Sequence, residues 1–297
     1  MKFVSRNAQS GLRTLIVSVV ASMTLFLAAS PAFADEADSH YRMALNYKFQ
    51  RRYAEALAEA KLAYKLRPDH AAAHFTAASV LRQLGKYPEA LEEIDAVTRS
   101  HPEYAGALAM KGALLVRLER YEEALPPLRA ALENDAKDTA SAANLGKALR
   151  SLQQYDEAIK VLKDGMFHAP KDIGLMNNLA VVYRATGRNQ DAVDTLRKAI
   201  KLSPNDFELR RNLAITLRTD KKWEPAIIEY QKVLQLKPNQ ADAWYDIGVC
   251  YEQARRPQEA IKAYQRYVQL IQKADAKGAA QVNDRIKTLQ RNGPAVK

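Results

Sequence analysis

Five histidines and one cysteine are the side chains in this sequence with the widest chemical range: His40, His70, His74, His101, His168 and Cys250. His70 and His74 stand four residues apart, which on a helix sets two imidazoles on one face, as in a zinc-binding pair. No third ligand follows on that face, and no metal or cofactor is expected. Cys250 lies among apolar neighbours, where a thiol is packed and inert. A single cysteine also excludes an internal disulfide framework or a thiolate cluster. No HExxH, Walker phosphate loop, GxGxxG fingerprint or GxSxG elbow occurs, so the sequence points away from an enzyme.

Two other residue types recur at a fixed interval. Asn144, Asn178 and Asn212 are 34 residues apart, each followed by Leu and a small residue. Six residues beyond each stands Arg150, Arg184 or Arg218, part of a column that also reads Lys48, Arg82, Val116 and Glu252, while Lys147 and Arg211 add charge nearby. An amide both donates and accepts, so a ladder of amides can grip an extended backbone without demanding a sequence. Guanidinium groups suit bidentate capture of carboxylates. This is chemistry of binding.

The elements that must position these groups repeat with the same period. Alanine stands at 56, 90, 124, 158, 192, 226 and 260, and twelve residues before each is a small residue: Ala44, Ala78, Gly112, Gly146, Ala180, Ala214 and Gly248. Proline falls twelve after it at 68, 102, 170, 204 and 238, with Ala136 and Gln272 in its place twice. Seven units of 34 cover residues 37–274 (37–70, 71–104, 105–138, 139–172, 173–206, 207–240 and 241–274) without insertion or deletion. Such a period marks a solenoid of one supersecondary unit. Each unit reads as two helices: Trp244, Ile247, Gly248 and Tyr251 form one stripe, and Ala260, Tyr264, Tyr267 and Val268 another. The small residues are expected where two antiparallel helices cross closely. Residues 279–290 read as a closing helix with Val282, Ile286 and Leu289 on one face, within a capping segment and tail over 275–297.

The chain's 297 residues are 47% hydrophobic and 27% charged, which is globular composition, with 45 basic against 34 acidic residues. Residues 1–34 read as a secretory leader. Lys2, Arg6 and Arg13 precede the uncharged run Thr14–Ala29, which at 16 residues is short for a membrane span of about 20, and Ala32-Phe33-Ala34 offers a cleavage site before Asp35. Cleavage would leave 42 basic and 34 acidic residues, a net +8. An exported protein is expected, periplasmic before any other destination, with no stable membrane insertion after cleavage and no nucleic-acid partner.

The columns resemble the tetratricopeptide repeat (TPR). The family's order of Trp, Leu, Gly and Tyr, then Ala, Phe, Ala and Pro, appears as Trp244-Ile247-Gly248-Tyr251-Ala260-Tyr264, and again as Leu179-Ala180-Tyr183-Gly187-Ala192-Leu196-Ala199-Pro204. The resemblance covers about four fifths of the chain, with His40 and His74 standing in the Trp column. It implies an all-α, right-handed superhelical solenoid of seven helix-turn-helix repeats, whose first helices line a concave groove.

Carried over by position, the groove is amide-rich and cationic in repeats four to six, through Asn144, Lys147, Arg150, Asn178, Arg184, Arg211, Asn212 and Arg218. The asparagines resemble the ladder in the TPR part of the O-linked N-acetylglucosamine transferase. Tyr41, Phe49 and Phe75 make the first two repeats aromatic and are the expected apolar anchor; Asp242, Asp246 and Glu252 make the last repeat acidic. The carboxylate clamp of chaperone-binding TPRs is absent: the nearest window supplies Ala143, Lys147 and Asn178 but then Glu208 and Asn212. The expected function is a non-enzymatic exported adaptor that binds an extended or acidic segment of an envelope protein. The alternatives are a periplasmic holdase chaperone and a binder of an anionic envelope glycan.

Overall fold

The computed structural model describes residues 31–292, which form fifteen α-helices joined by short turns, with no strand among them. The chain divides into two compact units, residues 1–107 and 108–297. In the first, α1 (Pro31–Phe49) pairs with α2 (Tyr53–Leu66), α3 (Ala71–Gln83) pairs with α4 (Tyr87–Ser100), and α5 (Ala105–Arg117) begins. The second continues α5 into α6 (Tyr121–Asn134), followed by the pairs α7 (Thr139–Ser151) with α8 (Tyr155–His168) and α9 (Ile173–Ala185) with α10 (Asn189–Leu202). Then come α11 (Phe207–Thr219) with α12 (Trp223–Leu236), α13 (Ala241–Gln253) with α14 (Pro257–Ile271), and α15 (Ala276–Asn292). Most of the expected leader, and residues 293–297 of the tail, lie outside the described residues. Pro31 opens α1, where its missing N–H is no loss.

The close approach expected of the small-residue column is present. A Cβ added to Gly112 would lie 2.3 Å from Leu128, one on Gly146 2.6 Å from Leu162, and one on Gly248 2.6 Å from Tyr264. In each pair the second helix's large side chain lies directly over the first helix's backbone. Where neither partner is large, as at Ala44 and Ala60, both are fully buried and Leu57 and Tyr64 fill in around them. In the second unit the first helices also pack side by side, α7 on α9, α9 on α11 and α11 on α13.

Every first helix ends the same way. At Arg51, Gly85, Glu119, Gln153, Gly187, Lys221 and Arg255 the backbone is left-handed, with φ between 58° and 74°. The next N–H reaches back five residues, as in Arg52 to Tyr47 and Lys222 to Leu217, while the left-handed residue's own N–H reaches back three, as in Arg51 to Lys48 and Lys221 to Arg218. That is the Schellman arrangement. Only two of the seven positions are glycine, so five repeats hold an L side chain where it is disfavoured.

α15 closes the stack, with Ala279, Val282 and Ile286 buried against α14 and its opposite face exposed. α6 runs through Pro126 and Pro127 without interruption, and Pro127 is buried. No described helix is long and apolar enough to cross a membrane.

Two substitutions test these constraints. Gly146→Ala should destabilise the chain by about 1–3 kcal/mol, because Leu162 must be displaced. Lys221→Gly should stabilise it by about 0.5–1 kcal/mol by relieving the left-handed strain. Urea unfolding followed by circular dichroism reads both; a neutral Gly146→Ala would show that the crossing has slack.

Candidate functional site

The helices carrying Asn144, Asn178 and Asn212 start with a side-chain cap that α3 and α13 lack. Asp138, Asp172 and Asp206 precede α7, α9 and α11, and each accepts hydrogen bonds from backbone N–H groups of the first turn: Ala140 and Ser141, Leu175, and Leu209. Such caps contribute about 1 kcal/mol each and fix where a helix begins, and so the facing of every residue after it. His70 and Gln240 at the corresponding places make no side-chain cap.

Asn178 and Asn212 turn out to be tied to the repeat before them. Asn178 Nδ2 donates to the Ala143 carbonyl at 3.3 Å, and Asn212 Nδ2 to Asn177 Oδ1 at 2.7 Å. Asn212 is buried, whereas Asn144 and Asn178 are half-buried. The amides therefore join neighbouring first helices.

The arginines differ among themselves. Arg211 reaches Glu208 at 3.6 Å on its own helix, and Arg218 Nε lies 3.6 Å from Asp246 Oδ1. Burial pulls the Arg218 pKa down, but the Asp246 carboxylate and Tyr230 together outweigh it and the net direction is upward. Arg184 moves the other way: burial first, then the nearby charge of Arg150, lower its pKa, with Arg211 and Arg218 adding to the repulsion. Its Nη1 is buried without a hydrogen-bond partner. Lys147 is half-buried. Repeats four to six thus bring the expected cations within electrostatic reach of one another.

The expected acidic end is occupied. Asp246 accepts from the Tyr230 hydroxyl at 2.8 Å, and Glu252 from Tyr264 at 3.0 Å and Arg285 at 2.8 Å, leaving Asp242 exposed. The aromatic residues belong to the first unit. Tyr41 packs on the His70 ring at 4.9 Å and Phe75 on Tyr104 at 5.3 Å, while Phe49 is 89% exposed.

The histidines act as packing and hydrogen-bonding groups. His40 and His74 hold Glu59 and Glu93 at 2.6 and 2.7 Å, each nineteen residues on, and Arg210 holds Glu229 in the same relation at 3.0 Å. His74 Nε2 lies 3.2 Å from the Pro68 carbonyl, where Arg210 Nε meets Pro204 at 2.7 Å and Trp244 Nε1 meets Pro238 at 2.8 Å. In repeats two, six and seven the Trp column is thus one hydrogen-bonding slot filled by His, Arg and Trp in turn. His70 is buried beside Asp38, away from the His74–Glu93 pair. No group of three His, Cys, Asp or Glu among the described residues could hold a metal ion. Burial pushes the Cys250 thiol up to about 12, which leaves it protonated and unreactive. A cleft of about 700 Å³ lined by Leu234, Trp244, Ile247 and Tyr251 shares no residue with the arginines.

Stacked helix-turn-helix units of 34 residues, each resting on its neighbours, define an α-solenoid protein. The chain belongs to the tetratricopeptide repeat family: the family's profiles match residues 41–105, 75–139, 115–181, 177–241 and 211–289. A tetratricopeptide repeat protein from Parabacteroides merdae ATCC 43184 shares the fold with TM-score 0.66 at 16% identity, over 86% of this chain and 99% of that one. YrrB, described as a TPR protein with an unusual peptide-binding site, is 25% identical over 61% of this chain and 97% of its own, with TM-score 0.53. MamA from AMB-1 is 26% identical over 56% and 99%, with TM-score 0.51. No curated protein matches the chain significantly.

Two groups give the first unit a defined acid response. Burial first, then Arg67, hold His70 below the ordinary 6.5 against the pull of Asp38. The folded state then binds fewer protons than the unfolded, so this contribution is complete above about pH 6.5 and is lost as pH falls below it. Glu93 is raised by burial, but hydrogen bonds from His74 and Tyr64 outweigh that and hold it below 4.5, so its contribution is lost only as pH falls under that value. Thermal melts at stepped pH should show both losses. His70→Gln should flatten the upper step alone and Glu93→Gln the lower.

Proposed function

We propose that the protein is a non-enzymatic, exported scaffold that binds an extended protein segment across the first helices of repeats four to six and so helps assemble an envelope complex. The observation that carries this reading is the side-by-side packing of α7, α9 and α11 with Arg150, Arg184, Arg211 and Arg218 gathered on them, in a family of repeat scaffolds. A row of fixed helices with a cationic face suits an acidic chain better than a compact ligand. The likeness to YrrB, itself described by its peptide-binding site, supports the same use of the fold. Export rests on the leader pattern of residues 1–34.

A photoreactive residue at Lys147 tests the face, and one at Phe167, which is 83% exposed on the second helix α8, serves as the reference. One dominant protein adduct from Lys147 and none from Phe167 is the expected result. Adducts from Phe167 alone would move the working surface to the second helices, and a smear of many clients from Lys147 would make the protein a holdase. The same cell extracts test export: the envelope form should begin at Asp35.

A further inference from the structure

The charge column at Arg150, Arg184, Arg218 and Glu252 occupies one position in four successive repeats, yet its members end differently. For Arg218 the charge is balanced from the next repeat: Asp246 lies 3.6 Å away as an ion pair, itself held by the hydroxyl of Tyr230 from Arg218's own repeat, although the buried Arg218 Nε makes no hydrogen bond. For Glu252 the signs are exchanged but the construction is the same, with Arg285 of α15 and Tyr264 meeting one carboxylate oxygen at 2.8 and 3.0 Å. Repeats four and five lack both partners. Where Asp246 would stand they have Asn178 and Asn212, and where Tyr230 would stand they have Leu162 and Leu196. No carboxylate of the described residues pairs with Arg150 or Arg184, and Arg184 Nη1 is buried with nothing to donate to.

A buried cationic N–H without an acceptor is costly, and in a folded protein it calls for a partner. The neighbouring arginines make the deficit worse, since Arg184 feels Arg150, Arg211 and Arg218 together. Repeat six shows which charge the position attracts, because one aspartate carboxylate stands 3.6 Å from its arginine there.

We propose that Arg150 and Arg184 form an open counter-ion seat that takes a carboxylate from the bound segment, in the place Asp246 fills for Arg218. The proposal rests on the peptide-binding reading of this face and names the group recognised. The carboxylate comes either from an aspartate or glutamate side chain or from a chain terminus; both present the same planar anion to a guanidinium. The seat differs from the carboxylate clamp of chaperone-binding TPRs, whose residues are absent here, because it is built from one column of adjacent repeats.

The test is an NMR titration of the full chain labelled with 15N-arginine, following the Nε–H signals assigned by Arg150→Lys and Arg184→Lys. N-acetylglycine supplies a terminal carboxylate, N-acetylaspartyl amide a side-chain one, and N-acetylglycinamide neither. Saturable shifts of the Arg150 and Arg184 signals with the carboxylates are expected, and the probe that saturates at lower concentration identifies the source. Asn212→Asp, which gives Arg184 of repeat five the counterpart of Asp246 and lets Asn177 turn its amide to donate, should weaken binding about tenfold or more. Helicity and the Arg218 signal should stay unchanged. Shifts that never saturate, or that sodium chloride of equal ionic strength reproduces, overturn the seat, as does undiminished binding to Asn212→Asp. A partner crosslinked from Lys147 without saturation would leave the peptide-binding reading standing and remove the seat. Saturation without any crosslinked partner would do the reverse.

Discussion

The crossing of the two helices within each repeat governs what the rest of the molecule can do. Gly112 against Leu128, Gly146 against Leu162 and Gly248 against Tyr264 leave no room for even a methyl group, so each pair has one small and one large member and one separation. With that separation fixed, the second helix of one repeat supplies a defined shelf for the first helix of the next, and first helices come to lie beside one another. Residues 28 or 35 apart in sequence are then brought within reach of one another, as Asp246 is to Arg218 and Asn178 to Ala143. The large partner matters beyond packing. Tyr264 crosses over Gly248 and still delivers its hydroxyl to Glu252, so one side chain fills the core and completes a polar contact on the first helix.

The same geometry explains why a packing column tolerates polar residues. Trp244, Arg210 and His74 share little except a ring or planar group with an N–H, and each meets the carbonyl of a proline six residues earlier. Proline carbonyls at the end of a second helix have no helical donor to satisfy them. A side-chain N–H supplies one, and the remaining polarity of His or Arg is met by a glutamate nineteen residues on, Glu93 or Glu229. Trp needs no such partner, and its column mate at that distance is Ala263. The position thus accepts a donor of a certain reach as readily as the apolar Leu108, Ala142 and Met176 that stand there in repeats three to five.

Most of the architecture was legible in the sequence because a 34-residue period converts packing into columns. The small residues, the apolar stripes and the closing helix could be read directly, and the seventh repeat carried nearly the full family order. Three features escaped that reading for physical reasons. Arg51, Glu119, Gln153, Lys221 and Arg255 adopt a conformation their own propensity opposes, imposed by the fixed crossing on either side of the turn. Pro126 and Pro127 would locally end α6, yet burial of Pro127 and its neighbours keeps the helix continuous. The double use of Asn178 and Asn212 depends on the preceding repeat, which no single-helix pattern reports. The unequal fate of the arginines did leave a trace, since the column that reads Leu, Leu, Tyr changes at repeat six and the one that reads Asn, Asn, Asp changes at repeat seven, the two sides of Arg218 together.

That joint change has an energetic consequence particular to solenoids. Their stability is close to a sum of repeat and nearest-neighbour terms, so a deficit in one repeat stays local. Closing the charge in repeats six and seven adds to the interfaces between α11, α13 and α15, while the open charge of Arg150 and Arg184 subtracts from those between α7, α9 and α11. A compact domain with one shared core would spread such a deficit over the whole fold. Here it can be held in the middle of the stack, bounded on its C-terminal side by repeats whose column charges have a counter-ion. A ligand carboxylate placed there would recover a local loss of free energy as well as make new contacts. Affinity of that origin is set by how far the unliganded repeats fall short, and that shortfall is set by two amides and two leucines standing where the next repeat has an acid and a tyrosine.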